Sequence, residues 1–213
     1  FMSLFDDGWH EMKAGAWWTV DEQAHAQNIQ YDVDTVEAER FADLVWATGD
    51  MLNAANAEQL VFVTDGAEWI ERIITTHFPQ ATHIIDWYHA CEYLAPVARQ
   101  LSRMPPWLWN GQLSAVIRAC EQQRQPHLKP EDDPACIAAR YFTNHRHQMD
   151  YSTYRAQGYQ IGSGTMESGC KQIGLERLKI SGARWSQNGA RLVAKARAAF
   201  LSGHCDDVCA LAA

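Results

Sequence analysis

Leu60-Val61-Phe62-Val63-Thr64-Asp65-Gly66 is an apolar run that ends in an acid and a glycine. The run is too short for a helix with its caps and is typical of a central buried strand. Residues 67–78 then predict a helix, which Pro79 ends, and residues 83–86 predict a second strand. A helix over residues 88–104 is expected next. This alternation of strand and helix predicts an α/β core.

The segment before this run predicts an antiparallel hairpin, a third strand and a helix. The three strands are expected at residues 1–5, 9–20 and 28–33. Asp6-Asp7-Gly8 lies between the first two, and Asp-Gly between apolar runs is a strong hairpin-turn signal. Asp34 or Thr35 is expected to cap a helix that ends near Asn53.

The second half of the chain predicts helices and no strand. They are expected at residues 107–120, 134–149, from 163 onward and at 186–201, with a polar loop at 123–133. The start at Ser163 is favoured because a hydroxyl cap followed by an acid suits the positive end of a helix dipole. The order of elements predicts a mixed sheet flanked by helices, with an all-helical insertion before the last element.

The composition is that of an ordinary globular domain. The 213 residues include 47% apolar and 21% charged side chains, which allows one sizeable core. No apolar run approaches the roughly 18 residues of a membrane span. The first residue is Phe1, and no signal-peptide pattern follows it. We therefore expect a fragment of a cytoplasmic protein with no membrane partner, and six scattered cysteines that are reduced thiols.

The charge is distributed unevenly along the chain. The formal net charge is −8, which alone argues against a nucleic-acid partner. Residues 168–203, however, contain seven Lys or Arg side chains against one acid, Glu176, for a local net charge of +6. Such a segment suits local contact with phosphate, but it is equally typical of a solvated helix face. Charge alone does not choose between these two interpretations.

Two acids in separate elements are candidates for a metal site. Asp65 ends the predicted strand, and Glu167 opens a late helix after two glycines and two hydroxyl residues. Magnesium and similar cations are held by carboxylates that separate elements bring to one point. Taken singly, Asp65 is equally a turn or cap residue, and Glu167 is an ordinary residue of a helix N-terminus.

Asp86 and His89 form a third candidate at the next strand-to-helix junction. Three positions apart, they are expected to share a face and to orient a substrate or each other. The structural alternative is an Asp helix cap followed by a half-buried histidine.

Four separated segments carry a family resemblance. They are Val63–Trp69, Ile85–Ala90, Ile161–Ser168 and Arg177–Ser186, and the match extends to Trp9–Gly15. Together they resemble the ISKra-type insertion-sequence transposases, which are similar to the Mutator-like branch of the DDE transposases. Four motifs in order are more specific than any one of them, and the match covers nearly the whole chain.

The resemblance implies a ribonuclease-H-like fold. It implies a sheet portion at residues 1–90, a helical insertion at 91–160, and C-terminal helices at 161–213 that carry the last acid and the basic segment. Asp65 matches the second acid of the DDE triad and Glu167 the third, while Asp86 and His89 match the family's Cys/Asp-x-x-His motif. The implied cofactor is Mg²⁺ or Mn²⁺, held by Asp65 and Glu167.

The first acid of the triad has no clear match. Asp7 is a nearby acid, but it belongs to the predicted hairpin turn, so an acid upstream of Phe1 is favoured over it. The implied partners are transposon-end and target DNA, with a homo-oligomer assembled on bacterial nucleoid DNA. The residues expected to hold phosphates are Lys171, Arg177, Lys179 and Arg184. Trp185 is expected either to stack on an unpaired base or to pack in the core.

These observations predict the catalytic-domain portion of a transposase that cleaves DNA and transfers strands. One alternative is a non-catalytic remnant that only binds DNA or oligomerises. Another is a ribonuclease-H-like nuclease that hydrolyses DNA without strand transfer.

Overall fold

The chain divides into two compact units. The computed structural model describes residues 2–4, 8–97 and 103–206, with side chains from His10 onward. The discontinuous unit comprises Phe1–Glu58 together with Gly164–Ala213, and the continuous unit comprises Gln59–Ser163. In this division the strands near residues 61 and 82 group with the helices of 91–160.

The described elements are helices and short strands, so the α/β prediction is confirmed at that level. The strands are β1 (Met2–Leu4), β2 (Gly8–His10), β3 (Lys13–Val20), β4 (Ala26–Asp34), β5 (Val61–Thr64) and β6 (Thr82–Ile85). The helices are α1 (Ala38–Met51), α2 (Glu68–His77), α3 (Trp87–Leu94), α4 (Met104–Trp109), α5 (Leu113–Gln122), α6 (Pro134–Asn144), α7 (Tyr151–Ala156), α8 (Gly164–Cys170) and α9 (Gln187–Leu201). A π-helical segment, Lys171–Leu175, follows α8.

The discontinuous unit contains two antiparallel strand pairs. β1 pairs with β2, as the hairpin prediction requires, although the turn residues Asp6 and Asp7 lie outside the described residues. β3 pairs with β4, with an irregularity between Trp17 and Thr19. The single strand predicted over 9–20 is therefore two strands, and the third predicted strand is longer than expected.

The predicted cap of α1 is wrong. The helix begins at Ala38, and Glu37 precedes it without a side-chain cap hydrogen bond. Asp34 is instead the last residue of β4, and its carboxylate accepts hydrogen bonds from Arg191 of α9. A cation from a distant part of the chain competes successfully with the local helix end for this carboxylate.

The core of the discontinuous unit lies between β4, the segment after α8, and α9. Its buried members are Val33, Ile173, Leu178, Ala190, Ala194 and Ala198. The alanines recur every four residues along α9, so a narrow stripe of small side chains faces the core. Ser186 accepts a hydrogen bond from the Gly189 N–H and caps this helix, which confirms the predicted final helix.

The continuous unit contains the parallel pair of β5 and β6. Their register places Val61 opposite Thr82 and Thr64 opposite Ile85. Among the described strands, β5 has only β6 as a hydrogen-bonded neighbour, and its first three residues are half-buried. The full burial predicted for this strand is therefore wrong, and the described strands form two-stranded sheets.

Helices build the rest of the continuous unit, as predicted for residues 91–160. The helix predicted to run from residue 88 to residue 104 is wrong in length, because α3 ends at Leu94. The helix predicted over 107–120 is broken near Gly111, whose φ of +73° is a left-handed conformation that ends α4. Asp133 caps α6 by accepting a hydrogen bond from the Ala135 N–H.

The largest buried side chains of this unit form one cluster, to which β6 and the helices contribute. Its bulkiest members are Ile84, Ile85, Leu94, Met104, Leu108, Phe142, Met149 and Tyr151. Cys91, Cys120, Cys136 and Cys170 are free thiols. No helix within the described ranges combines the length and apolar character that crossing a membrane requires.

Candidate functional site

Asp65 and Asp86 directly follow the paired ends of β5 and β6. The two strands are parallel and Thr64 lies opposite Ile85, so the two acids come after the same edge of the sheet. The carboxyl ends of parallel strands are where α/β proteins commonly bind ligands. Two of the four predicted catalytic residues therefore belong to one sheet edge.

Asp65 has an exposed carboxylate in a tight turn. Its Oδ1 accepts a hydrogen bond from the Ala67 N–H at 3.0 Å, which is the turn role that the sequence also allowed. Its backbone oxygen accepts a hydrogen bond from the Tyr141 hydroxyl at 3.2 Å. Gly66 has a φ of +86°, and a Cβ there would lie 2.9 Å from Ile85 Cδ1. Since only glycine fits this position without strain, the path of the backbone beside Asp65 is closely defined.

Asp86 is a buried carboxylate whose two oxygens both accept backbone hydrogen bonds. Oδ1 accepts from the His89 N–H at 2.8 Å and caps α3, while Oδ2 accepts from the Ser163 N–H at 2.5 Å. The Trp87 N–H also donates to the Ile161 carbonyl at 2.8 Å. Asp86 is only 2% exposed. Two of the segments that carry the family resemblance are thus joined by two hydrogen bonds, from Ser163 to Asp86 and from Trp87 to Ile161.

The Asp86→Asn variant is expected to lower the free energy of unfolding of the continuous unit by about 1–2 kcal/mol. An amide offers one acceptor oxygen, so one of the two backbone N–H groups would face an amide nitrogen and lose its partner. Urea unfolding followed by tryptophan fluorescence measures this change.

Asp150→Asn is the matched control for this experiment. Asp150 caps α7 with Oδ1, is exposed, and keeps that acceptor as an asparagine. We expect almost no change there. Equal effects in both variants would mean that the link between Asp86 and Ser163 contributes nothing to stability.

His89 is half-buried in the first turn of α3. Its Nδ1 lies 3.2 Å from Glu92 Oε2, and its side chain is 35% exposed. The ring is close to two aromatic rings, with centroids 5.6 Å from Tyr93 and 6.3 Å from Tyr141. The hydrogen bond to Asp86 comes from the backbone of His89 and leaves its ring to these neighbours. This geometry matches the structural alternative of a capping Asp followed by a half-buried histidine.

Tyr141 is a site residue that the sequence analysis missed. It stacks on Tyr93 with ring centroids 3.7 Å apart, and its hydroxyl donates to the Asp65 carbonyl. Burial, together with the nearby Tyr93, Asp65 and Asp86, raises the pKa of Tyr141, so the hydroxyl remains a donor. An aromatic pair near the end of a predicted helix, Tyr141-Phe142, is the sequence signal that marks this position.

Glu167 lies in the discontinuous unit, in the first turn of α8, with an exposed side chain. The predicted helix start is therefore confirmed. Tyr31 of β4 contacts this helix in two places: its hydroxyl donates to the Thr165 carbonyl at 3.3 Å, and its ring lies against Gly169, where no Cβ fits. Asp65 and Glu167 belong to different units, and their pairing stays a prediction.

The segment between α8 and α9 presents most of the predicted DNA-binding residues. The exposed cations of this segment are Lys171, Arg177, Lys179 and Arg184. Ile173 and Leu178 of the same segment are buried and fix it to the core. Trp185 Nε1–H donates to the Leu178 carbonyl at 3.0 Å, and the ring packs against the core. Trp185 thus matches its structural alternative, while the four cations lie at the surface.

Arg191 and Lys195, two further cations of the basic segment, bind Asp34. Arg191 donates from Nε to Oδ1 at 2.6 Å and from Nη2 to Oδ2 at 3.2 Å, and Lys195 Nζ lies 2.6 Å from Oδ2. Burial raises the pKa of Asp34, but the hydrogen bonds from both cations outweigh burial and lower the pKa to about 2. These two cations therefore join α9 to β4 and are engaged within the protein.

Asp32, two residues earlier on the same strand, has the opposite electrostatic character. Burial raises the pKa of Asp32 to about 6, while hydrogen bonds from Thr48 and Trp17 oppose this shift. Thr48 Oγ1 donates to Asp32 Oδ1 at 2.8 Å. The sequence analysis singled out neither acid as a buried group. Two acids two positions apart, Asp32 in the predicted strand and Asp34 just after it, are the signal for a charged face turned inward.

We expect the Asp32→Asn variant to be more stable than the wild type at pH 8 by about 1–3 kcal/mol and unchanged near pH 4. The folded pKa of Asp32, about 6, lies above its unfolded value. Its contribution to stability is therefore present below pH 4 and is lost as the pH rises through 6. An asparagine stays neutral and still accepts from Thr48.

Urea unfolding at pH 4 and pH 8 tests this prediction. Asp43→Asn, on the exposed face of α1, is the control and should change little at either pH. A loss of stability at pH 8 in the Asp32→Asn variant would contradict the prediction.

The predicted metal ligands have the right chemistry for a hard cation. Asp65 and Glu167 both offer exposed carboxylate oxygens, which Mg²⁺ and Mn²⁺ prefer. In the part of the chain that the structure describes, no group of three or more His, Cys, Asp or Glu side chains forms a metal-binding cluster.

Comparison of this chain with protein-family models, with curated proteins and with solved structures finds no match. The residues and the geometry within each unit are therefore what indicate its function. Within the continuous unit that geometry brings Asp65, Asp86, Tyr141 and the segment around Ser163 to one sheet edge.

Proposed function

We propose that this chain is the catalytic-domain portion of a DNA transposase that cleaves DNA and transfers strands by DDE chemistry. One observation carries the proposal: the Ile161–Ser163 segment is hydrogen-bonded to the end of β6 through Asp86 and Trp87. This contact joins segments that are far apart in the sequence but belong to the same family pattern.

Chain connectivity limits the distance between Glu167 and Ser163, the residue whose N–H Asp86 binds. Ser163 is fixed to Asp86, and Glu167 follows Ser163 by four residues. Four residues span at most about 14 Å, even when fully extended. Gly162 allows close packing there, since a Cβ at this position would lie 3.0 Å from the ring of Tyr88.

Asp65 and Glu167 would hold Mg²⁺ or Mn²⁺, and such a metal supplies activation of a water or 3′-hydroxyl and stabilisation of the leaving oxygen at a phosphate. The chain's own residues provide position and charge. Tyr141 holds the backbone of Asp65, and Asp86 holds the segment that leads to Glu167. Asp86 acts in this scheme as a positioning residue, because backbone N–H groups occupy both of its oxygens.

DNA would be held mainly by exposed cations of the discontinuous unit. Lys171, Arg177, Lys179 and Arg184 lie on the segment that follows the Glu167 helix, and such side chains bind phosphate oxygens without reading sequence. Arg191 and Lys195 bind the Asp34 carboxylate and are therefore not among the proposed DNA contacts. The proposal extends to a ribonuclease-H-like arrangement of the strands and to a homo-oligomer on bacterial DNA.

The test uses this chain. Binding of Mg²⁺ and Mn²⁺ is measured by calorimetry, and cleavage and joining are measured on a labelled transposon-end duplex. Metal-dependent cleavage followed by strand transfer is the expected result. Cleavage without transfer would indicate a nuclease, and DNA binding without metal binding would indicate a non-catalytic module.

A further inference from the structure

A chain of hydrogen bonds runs beneath the turn that carries Asp65. Gln148 Nε2 lies 2.8 Å from His83 Nδ1, and His83 Nε2 lies 2.7 Å from Thr64 Oγ1. Thr64 Oγ1 also accepts a hydrogen bond from the Gly66 N–H at 3.3 Å. This series of hydrogen bonds therefore ends at Thr64 and Gly66, the two residues that flank Asp65.

The direction of each hydrogen bond follows from Gln148. Its Oε1 lies 2.9 Å from His145 Nδ1 and accepts from that nitrogen, so its Nε2 donates to His83 Nδ1. His83 Nδ1 thus carries no proton, and the Nε2–H of His83 donates to Thr64. A protonated His83 would turn an N–H toward the amide N–H of Gln148, so this arrangement requires the neutral ring.

The surroundings keep His83 neutral and Gln148 in one orientation. Burial lowers the pKa of His83 to about 4, although the nearby Glu71 opposes this shift. Gln148 is 2% exposed, and its Nε2 also approaches Glu71 Oε1 at 3.5 Å. A buried polar network whose members are paired holds one geometry, because any alternative leaves a group unsatisfied.

We propose that Thr64, His83 and Gln148 are positioning residues for Asp65, an inference that rests on the catalytic role proposed above for that acid. They act through the backbone. Thr64 holds the Gly66 N–H on one side of the turn, while Asp65 itself holds the Ala67 N–H on the other. The carboxylate of Asp65 therefore leaves the strand end in a fixed direction.

The test compares Thr64→Val with Thr64→Ser. Valine keeps the shape and the strand preference but removes the hydroxyl, whereas serine keeps the hydroxyl. We expect the amides of Gly66 and Ala67 to exchange with solvent about tenfold faster in the valine variant, with little change in the serine variant. The exchange of the Ile84 and Ile85 amides serves as the internal reference.

Kinetics of metal-dependent DNA cleavage give the second readout. We expect kcat to fall about 10–100-fold in Thr64→Val while KM is unchanged, because DNA binding is left intact and only the direction of Asp65 is lost. Thr75→Val is the control, since the hydroxyl of Thr75 donates within α2, to the Glu71 carbonyl. That variant should match the wild type in both readouts.

A second pair of variants guards against a folding defect. His83→Gln retains an amide nitrogen that can donate to Thr64, whereas His83→Leu cannot donate. Slow exchange at Gly66 retained in the glutamine variant and lost in the leucine variant supports the proposal. Wild-type exchange at Gly66 and Ala67 in both Thr64→Val and His83→Leu would overturn it.

The exchange measurement separates this inference from the proposed function. A faster exchange at Gly66 in Thr64→Val, combined with a wild-type protein that cleaves no DNA, would remove the transposase assignment and leave the backbone contact in place. Normal exchange in Thr64→Val, combined with active wild-type protein, would remove the positioning role alone.

Discussion

Asp65→Asn is expected to lower metal-dependent DNA cleavage by more than about 100-fold. A loss of that size exceeds the roughly 10–100-fold loss seen when a residue that only supports a metal ligand is replaced. Asparagine has the same shape and keeps an oxygen for the Ala67 N–H, so the turn is retained. What is lost is the negative charge that would bind the cation. Glu167→Gln is expected to have an effect of the same size for the same reason. Initial rates on a labelled transposon-end duplex measure both.

Each of these variants has a matched control nearby. Glu68→Gln removes an exposed acid at the start of α2, and Glu176→Gln removes one shortly after α8. Both should cleave DNA at the wild-type rate. A folded Asp65→Asn protein that retains full activity would refute the assignment of Asp65 as a metal ligand.

The Asp34→Asn variant is expected to lower the free energy of unfolding of the discontinuous unit by about 3 kcal/mol. Removing this carboxylate leaves Arg191 and Lys195 facing a neutral amide in a partly buried place. The expected cost is at the low end of the range for a broken buried ion pair. The reason is that the Arg191 and Lys195 side chains are 37% and 39% exposed, while that of Asp34 is 5% exposed.

Urea unfolding at pH 7 measures this loss, with Asp50→Asn on the exposed face of α1 as the control. Lys195→Met tests the contribution of one cation alone and should cost less than Asp34→Asn, because Arg191 still pairs with the carboxylate. A wild-type midpoint in Asp34→Asn would show that the cations find equivalent partners elsewhere.

Asp32 and Asp34 together give the discontinuous unit a defined pH dependence. The folded pKa of Asp34, about 2, lies below its unfolded value, so its contribution is present above pH 4 and is lost as the pH falls toward 2. The contribution of Asp32 is lost as the pH rises through 6. Taken together, these two carboxylates favour the folded state most strongly near pH 4.

Local patterns in the sequence predicted the elements whose stability is local. The helix after Asp65 and the final helix after Ser186 were expected within a residue or so, because each has a punctuating residue and regular apolar spacing. The cap of α1 was predicted wrongly because the Asp34 carboxylate forms an ion pair with Arg191, which lies 157 residues away in the sequence. Long-range ion pairs leave no local pattern.

The candidate site was predictable only where its residues belong to a local sequence pattern. Asp65 and Asp86 follow apolar strands, and strand ends are readable from the sequence. Tyr141, His83 and Gln148 contribute through contacts made only after the helices have packed, and each resembles an ordinary helix or strand residue in the sequence. The burial of β5 was overestimated because an apolar run gives no information about how many neighbouring strands it has.

The division of the chain has a consequence for synthesis on the ribosome. Gln59–Ser163 is one uninterrupted stretch, so all of its partners have emerged once residue 163 has left the exit tunnel. Asp34 and the strand that carries it must wait for α9, which follows the continuous unit in the chain. The nested part of the molecule can therefore fold first, while β4 remains without α9 until residues well beyond 163 have been made.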